Sequence, residues 1–453
     1  MSFPSDFIWG AATASYQIEG SVRADGRKPS IWDVFSATPG KTFNSDSGEI
    51  ACDHYNRWKD DIALMKELGL QSYRFSLAWP RIIPDGRGKI NPAGLDFYSR
   101  LVDGLLEAGI RPWATLYHWD LPYDLHRQGG WINPAISDAF AEYALAVAEV
   151  LGDRVTDWMT FNEPQCILGL GYEAGVHAPG LKAPVQDLMY GLHNHLVAHG
   201  KAVDALRSVG GGVFNIGYVP TAQSFIPVND SPEEVEAAKN AFFSYKPRHG
   251  YMWSMAMYTD PVFFGTYPED FISQMGSHLP PNWEKDLPGI GGKTDFCGIN
   301  LYSGFRVKKT ETGIEPVPVP SGREQTAIKW YVEPETLRWA PRFLSERYGK
   351  PVIITENGLS LSDWVHVDGK VHDPARIDFT TRYLRELEKA IGDGANIAGY
   401  FHWSLMDNFE WAEGYRERFG LIHVDLQTQK RTIKDSGYWY KSVIESNGKI
   451  LHD

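Results

Sequence analysis

The sequence predicts a single (β/α)8 barrel over residues 1–453, an α/β fold with long insertions in the loops that follow its strands. Three observations predict it. Eight short apolar runs alternate with helical stretches, the order that builds parallel βαβ units. The 453 residues exceed the roughly 250 of a bare barrel, and the surplus falls in connections, with no Ser/Gly- or Pro-rich linker to divide the chain. An open doubly wound sheet would carry a phosphate-binding glycine fingerprint after its first strand. The one glycine run here, Gly210-Gly211-Gly212, instead precedes a strand and reads as a helix C-cap and turn.

The elements follow in order. Residues 7–11 form the first strand. Tyr55, Trp58, Ile62 and Met65 recur three or four apart, one face of a helix that Gly69 stops, and 72–77 is the second strand. Tyr98, Leu101, Leu105 and Leu106 repeat the helix, Gly109 ends it, and 113–117 is the third. Ile136, Phe140, Tyr143, Val147 and Leu151 form another helix face ended at Gly152, before a strand at 158–161. The remaining strands are 213–219, 295–301, 352–355 and 397–402, with helices at 183–209, 334–348 and 374–391. The long connections are 20–54, 221–294 and 404–432; long loops in a compact enzyme are usually functional or disordered.

Composition narrows the function classes. At 43% hydrophobic and 22% charged, the chain is neither disordered nor collagen-like. A net charge of −13 with no Lys/Arg cluster argues against a nucleic-acid groove. No run of about 18 apolar residues predicts a membrane span, and Met1 to Asp6 does not open a signal peptide. Cys52, Cys166 and Cys297 are too scattered for a disulfide framework or a zinc site, so they read as reduced thiols in a cytoplasmic protein. The 16 Trp exceed what a core needs and suit binding surfaces, where an apolar face beside a polar handle is useful. A homo-oligomer is compatible with the sequence but not specified by it.

Reactive groups belong at the C-terminal ends of barrel strands. There the sequence places His118-Trp119-Asp120, Asn162-Glu163-Pro164, Asn300 with Tyr302, Glu356-Asn357-Gly358 and His402-Trp403. One strand-end carboxylate is ordinarily a helix cap or faces water. Two Glu on strands four and seven, across a closed barrel, can converge. Such a pair among aromatics and amides suits chemistry at a glycosidic bond: one carboxyl protonated to assist the leaving oxygen, the other ionised to meet oxocarbenium charge. Hydrolysis and transfer of a sugar both stay open on this evidence.

Five local sequences carry a resemblance. Phe7-Ile8-Trp9-Gly10-Ala11-Ala12-Thr13-Ala14-Ser15-Tyr16-Gln17-Ile18-Glu19-Gly20 resembles the N-terminal signature of the β-glucosidases of glycoside hydrolase family one. Thr160-Phe161-Asn162-Glu163-Pro164 resembles that family's acid/base motif, and Ile354-Thr355-Glu356-Asn357-Gly358 its nucleophile motif. His118-Trp119-Asp120-Leu121-Pro122 and the run from Trp403 through Asn408-Phe409-Glu410-Trp411 match as well, in the family's order. The resemblance implies a retaining mechanism, with Glu356 as nucleophile and Glu163 as acid/base. It implies Arg74, Tyr302 and Asn300 as supports of the nucleophile, and Asn162 as the holder of the sugar 2-hydroxyl. It also implies a sugar pocket of Gln17, His118, Trp119, Trp403, Glu410, Trp411 and Phe419, with Trp330 as a platform on the leaving-group side. No cofactor and no metal are implied.

Glu410 bears on the substrate. A carboxylate accepts from two sugar hydroxyls and repels a phosphate, and Ala412-Glu413-Gly414-Tyr415 offers no cation for one; Arg416 and Arg418 come only later. The expected substrate is therefore an unphosphorylated small-molecule β-glucoside or oligosaccharide, with galactosides and fucosides open. Two departures stand out: Gln165 where the family often has Trp, and Leu301 where an aromatic is frequent. Gln165 is expected to make the leaving-group entrance wider and more polar. His195 and His199 have a helical spacing that zinc ligands share, but no adjacent Glu completes a metalloprotease motif, so a packed or capping role is expected.

Overall fold

The computed structural model describes residues 3–247 and 250–452. Eight strands form a ring: β1 (Ile8–Ala12), β2 (Ser72–Ser76), β3 (Arg111–Tyr117), β4 (Asp157–Asn162), β5 (Asn215–Val219), β6 (Phe296–Thr310), β7 (Val352–Asn357) and β8 (Ile397–Trp403). Neighbours pair in parallel all the way round. The ring closes where β8 meets β1, from Ile8↔Gly399 to Ala12↔Trp403, and where β5 meets β6, at Gly217↔Phe296 and Tyr218↔Cys297. Closure leaves no unpaired edge in the central sheet, and the architecture is the (β/α)8 barrel that the alternation predicts.

Strands β2, β4 and β7 are buried along their whole length, as strands covered by side chains inside and helices outside must be. The interior is filled rather than hollow. Trp113 of β3 packs edge-on against Phe296 of β6 at 5.7 Å and Phe401 of β8 at 5.4 Å. Gly10 of β1 makes room for this layer, since a Cβ there would lie 2.6 Å from the Phe401 ring and from the Ser72 carbonyl. With the interior plugged, the site can only be built at the strand ends.

The helix Ile136–Leu151 buries the face that its spacing predicts: Ile136, Phe140, Tyr143, Val147 and Leu151. Helices Val185–Gly210, Thr336–Tyr348 and Pro374–Gly392 lie within two residues of expectation at each end. In Pro92–Glu107, Tyr98, Leu101 and Leu105 are buried, but Leu106 is 43% exposed. It falls one position beyond the stripe and faces water.

The larger difference concerns β6. The sequence reading ends it at 301, whereas the strand continues to Thr310 and turns back through the hairpin strand Gly313–Pro316. The extension is stabilised by the segment Thr221–Pro227, which continues from β5 and pairs from Thr221↔Asn300 to Pro227↔Val307. The connection 221–294 is therefore largely ordered, with helices Pro232–Phe243, Ala256–Phe264 and Glu269–Met275. Among the described residues no helix is long and apolar enough to cross a membrane, and Cys52, Cys166 and Cys297 are free.

Candidate active site

Glu163 follows the last residue of β4, and Glu356 is the penultimate residue of β7. The structure brings them to one buried polar cluster. Arg74 of β2 donates from Nη1 to Glu356 Oε1 at 2.6 Å and from Nη2 to Asn162 Oδ1 at 2.6 Å. Tyr302 of β6 donates its hydroxyl to Glu356 Oε2 at 2.7 Å. Both oxygens of Glu356 are thus held, one by a cation. Glu163 has a weaker set: Asn300 donates from Nδ2 to its Oε1 at 2.7 Å, and the Cys166 side chain lies beside its carboxyl. Asn300 also donates to Asn162 Oδ1 at 3.0 Å, and its own Oδ1 accepts from Thr355 at 2.7 Å. Strands β2, β4, β6 and β7 are therefore tied together at their C-terminal ends.

The unequal support separates the two carboxyls. Burial raises Glu163, the negative charge of Glu356 raises it further, and the result is a pKa of about 7. Burial raises Glu356 as well, but Arg74, Tyr302 and Asn300 pull it back toward the charged form. Tyr302 itself is pushed well above the ordinary tyrosine value, by burial and then by the adjacent Glu356 and Glu163 charges, so it stays a donor.

The tautomer of His118 follows from the same network. Asn162 Oδ1 accepts from Arg74 and Asn300, so its Nδ2 is the end 3.0 Å from His118 Nε2. Burial, then the charge of Arg74, pushes His118 well below its ordinary value, so it is neutral, with Nε2 accepting and Nδ1 protonated.

A second group comes from the helical turn Ser15–Ile18 after β1 and the segment after β8. Gln17 Nε2 donates to Asn408 Oδ1 at 3.0 Å and to the Phe409 carbonyl at 2.9 Å, and lies 3.4 Å from Glu410 Oε2. Burial and the charges of Glu356, Glu163 and Glu417 raise Glu410 to about 8. His118 lies between the rings of Trp403 and Trp411, 5.9 Å from each. Trp119 leans on Trp411 at 4.5 Å and donates its indole N–H to the Asn162 carbonyl at 2.9 Å. Phe419, Trp330 and Tyr302 form a second aromatic group, with ring separations of 5.1–6.1 Å.

Gln17 Oε1 and His118 Nδ1 are buried and have no hydrogen-bond partner among the described residues. Unsatisfied buried polar atoms are costly. Two of them beside three acidic groups point to a ligand rich in hydroxyls.

Three residues here hold left-handed backbone angles, which are costly for residues with a Cβ: Trp119 (φ 81°), Glu163 (φ 49°) and Trp411 (φ 51°). Hydrogen bonds fix two of them. Glu163 N donates to the Val219 carbonyl at 2.7 Å, and Glu410 N and Gly414 N close the turn around Trp411 at 2.7 and 3.2 Å. Lys434 is fully buried between Asp363 and Asp407, at 2.7 Å from each. This cation joins the segment after β7 to the segment after β8.

Gln165 departs from expectation. It is 1% exposed and accepts from the Thr221 backbone N–H at 3.2 Å, so it does not open the leaving-group entrance. The wide polar mouth inferred from it is not made by this side chain. Arg416 pairs with Glu413, and Arg418 with Asp407 at 3.0 Å, so neither is a free cation for a phosphate. His195 bonds the Tyr218 hydroxyl, and His199 bonds the Thr160 and Thr294 hydroxyls.

The sequence reading missed Asn408 as a partner of Gln17, Tyr16 and Trp32 as rings packed on Trp411, and Cys166 as a support of Glu163. Asn408 was visible within its motif. The aromatic contacts join residues far apart in the chain and left no local signal.

A family model described as Glycosyl hydrolase family 1 matches residues 1–449. Similar curated proteins include Beta-glucosidase A of Thermotoga maritima, 46% identical over 98% of each chain. The 1,4-beta-D-glucan glucohydrolase of Thermotoga neapolitana is 46% identical, covering 98% of this chain and 99% of its own. The Beta-glucosidase of an Agrobacterium species is 47% identical, covering 99% and 97%. A solved family 1 b-glucosidase from Thermotoga maritima superposes with a TM-score of 0.90 at 44% identity, over 99% of both chains. Its complex with glucoimidazole gives the same TM-score at 45% identity.

Proposed function

The chain belongs to glycosyl hydrolase family 1, and from that premise we propose a retaining, exo-acting β-glucosidase. It releases terminal β-D-glucosyl residues from cellobiose, short β-glucans and aryl or alkyl β-glucosides. The observation that carries this reading is the asymmetry of the two carboxyls: Glu356 held by Arg74 and Tyr302, Glu163 held by neutral donors with a pKa of about 7.

The chemistry follows from that asymmetry. Glu356, as the carboxylate, attacks the anomeric carbon while Glu163 gives its proton to the departing glycosidic oxygen. A glycosyl ester on Glu356 results, and its negative charge is gone. Burial still raises Glu163, but the Glu356 charge that raised it further is removed, so its pKa falls and it takes a proton from the incoming water. Asn162 and His118 face the sugar hydroxyls nearest the reaction, and Gln17 and Glu410 those farther from it. The scheme needs neither metal nor cofactor. A second sugar in place of water gives transglycosylation from the same ester.

We take residues 1–453 as one catalytic domain, since β1 and β8, near the two ends of the chain, are neighbours in the same ring. The three free thiols suit a reducing, cytoplasmic compartment. The name 1,4-beta-D-glucan glucohydrolase, borne by a relative, favours oligosaccharides from cellulose as substrates. The test is hydrolysis of p-nitrophenyl β-glucoside, β-galactoside and β-fucoside by the wild type, Glu356→Gln and Glu163→Gln. The glucoside should be turned over well, with both variants strongly impaired. Wild-type turnover by either variant would refute the assigned roles.

A further inference from the structure

Tyr302 reaches Glu356 from a place where the sheet loses its regular ladder. The pairing of β6 with β7 skips Thr355 and ends at Asn300↔Glu356. On the other side of β6 the pairing passes from Leu301↔Ala222 to Gly304↔Ser224, so Tyr302 and Ser303 stand opposite the single residue Gln223. A bulge of this kind re-aims a side chain and leaves backbone groups without ladder partners.

Side chains take the place of those partners. Asn357 donates from Nδ2 to the Leu301 carbonyl at 2.7 Å, and Ser303 donates from Oγ to the Tyr331 carbonyl at 2.8 Å. Between them, the Tyr383 hydroxyl donates to the Tyr302 carbonyl at 3.0 Å and accepts from the Glu333 N–H at 2.9 Å. The direction is fixed, because a backbone N–H can only donate and so the one hydroxyl proton of Tyr383 goes to Tyr302. Burial raises Tyr383 well above the ordinary tyrosine value, so the proton stays in place. Tyr383 comes from the helix Pro374–Gly392, is fully buried, and stacks on Phe379 at 3.8 Å. Packing holds the ring, and the hydroxyl reaches the site. A chain of bonds results, from Glu333 N through Tyr383 to the Tyr302 carbonyl, and from the Tyr302 hydroxyl to Glu356 Oε2 at 2.7 Å. A bond that short weakens steeply when its donor drifts or tilts.

We propose that Tyr383 is a positioning residue for the glycosidase reaction: by holding the Tyr302 carbonyl at the bulge, it aims the Tyr302 hydroxyl at the nucleophile Glu356. The proposal deepens the β-glucosidase reading and rests on it. Glu356 is faced by Arg74 from β2, Glu163 from β4, Tyr302 from β6 and Glu410 from the segment after β8. Of these, Tyr302 alone is hydrogen-bonded to Tyr383 among the described residues.

The experiment reads the pH dependence of kcat/KM on p-nitrophenyl β-glucoside, and the titration of Glu356 by carbon-13 NMR of labelled glutamate carboxyls. Both are measured in the wild type, Tyr302→Phe, Tyr383→Phe, the double variant and Tyr440→Phe. Tyr440 is the control: it is a buried tyrosine whose hydroxyl also donates to a strand carbonyl, that of Gly10 at 2.8 Å. Losing a donated bond disfavours the carboxylate, so the acidic limb and the Glu356 titration should both move to higher pH. The shift should be about one pH unit in Tyr302→Phe and about half as much in Tyr383→Phe. The double variant should match Tyr302→Phe, and Tyr440→Phe should match the wild type. An unmoved Glu356 titration in Tyr383→Phe, additive shifts in the double variant, or an equal shift in Tyr440→Phe would overturn the positioning role. Failure of the wild type to cleave β-glucosides would instead count against the β-glucosidase reading, and the NMR titration would still decide the role of Tyr383.

Discussion

The Arg74 guanidinium donates to Glu356 Oε1 at 2.6 Å, with side chains only 1% and 4% exposed. A cation so placed opposes the burial that raises Glu356, and the acidic limb of activity should follow from that balance. In Arg74→Met the carboxyl loses the cation that opposes its burial, so its pKa rises further and ionisation requires a higher pH. The acidic limb of kcat/KM should move to higher pH, with kcat down about 100- to 1000-fold. A pH–rate profile with a highly activated aryl glucoside reads both.

Glu163 should set the basic limb. Its pKa of about 7 means that proton donation fails as pH rises through that value. Replacing Glu356 by Gln removes a like charge, so Glu163 should titrate lower in Glu356→Gln than in the wild type. Carbon-13 NMR of labelled glutamate carboxyls measures this. Glu163→Gln should lose about 100- to 10,000-fold on alkyl glucosides, whose leaving group needs the proton. The loss should be far smaller on 2,4-dinitrophenyl glucoside, whose leaving group does not.

Glu410 has a pKa of about 8 in the free enzyme, held up by burial and by Glu356 and Glu163. Sugar hydroxyls donating to it favour the carboxylate, so glucose or an inhibitor binding at pH 7 should release a proton. Calorimetry in buffers of different ionisation enthalpy detects it. Glu410→Gln should weaken kcat/KM about 10- to 100-fold, as expected for lost hydrogen bonds to a charged group. A 4-deoxy glucoside should feel the change much less.

The Lys434 cluster governs stability. Lys434→Met leaves Asp363 and Asp407 without their shared cation, although Arg376 and Arg418 remain beside them. About 3–5 kcal/mol should be lost, read as a fall in the denaturation midpoint. The sign of the pH dependence follows from Asp407. Lys434 and Arg418 outweigh burial and hold its folded-state pKa below the ordinary carboxylate value. The stabilisation is therefore present above the unfolded pKa, and is lost as pH falls through the folded pKa, below about 4. Thermal melts from pH 6 to pH 3 should show the wild-type advantage over Lys434→Met shrinking at the acid end.

The sequence showed the ring of strands because each strand is a short apolar run between a helix stop and a polar end, a local pattern. It placed Glu163, Glu356, Tyr302 and Asn300 at strand ends and, by resemblance, Arg74 within the second strand, and these side chains meet. It could not show that β6 runs to Thr310, because that extension depends on pairing with Thr221–Pro227, itself read as loop. Gln165 was misread for a related reason: position beside Glu163 fixes where the backbone is, whereas the Thr221 N–H decides where the side chain goes. The left-handed angle of Glu163 is fixed by a bond to the distant Val219 carbonyl and has no local signature.

One measurement bears most directly on the central claim that Glu356 forms the glycosyl ester. The enzyme is incubated with 2,4-dinitrophenyl 2-deoxy-2-fluoro-β-glucoside, quenched, digested and mapped by mass spectrometry. The expected result is one fluoroglucosyl unit per chain, on the peptide containing Glu356 and absent from Glu356→Gln. A sugar carried by another carboxylate, or turnover without any covalent adduct and with the α-anomer as first product, would contradict it.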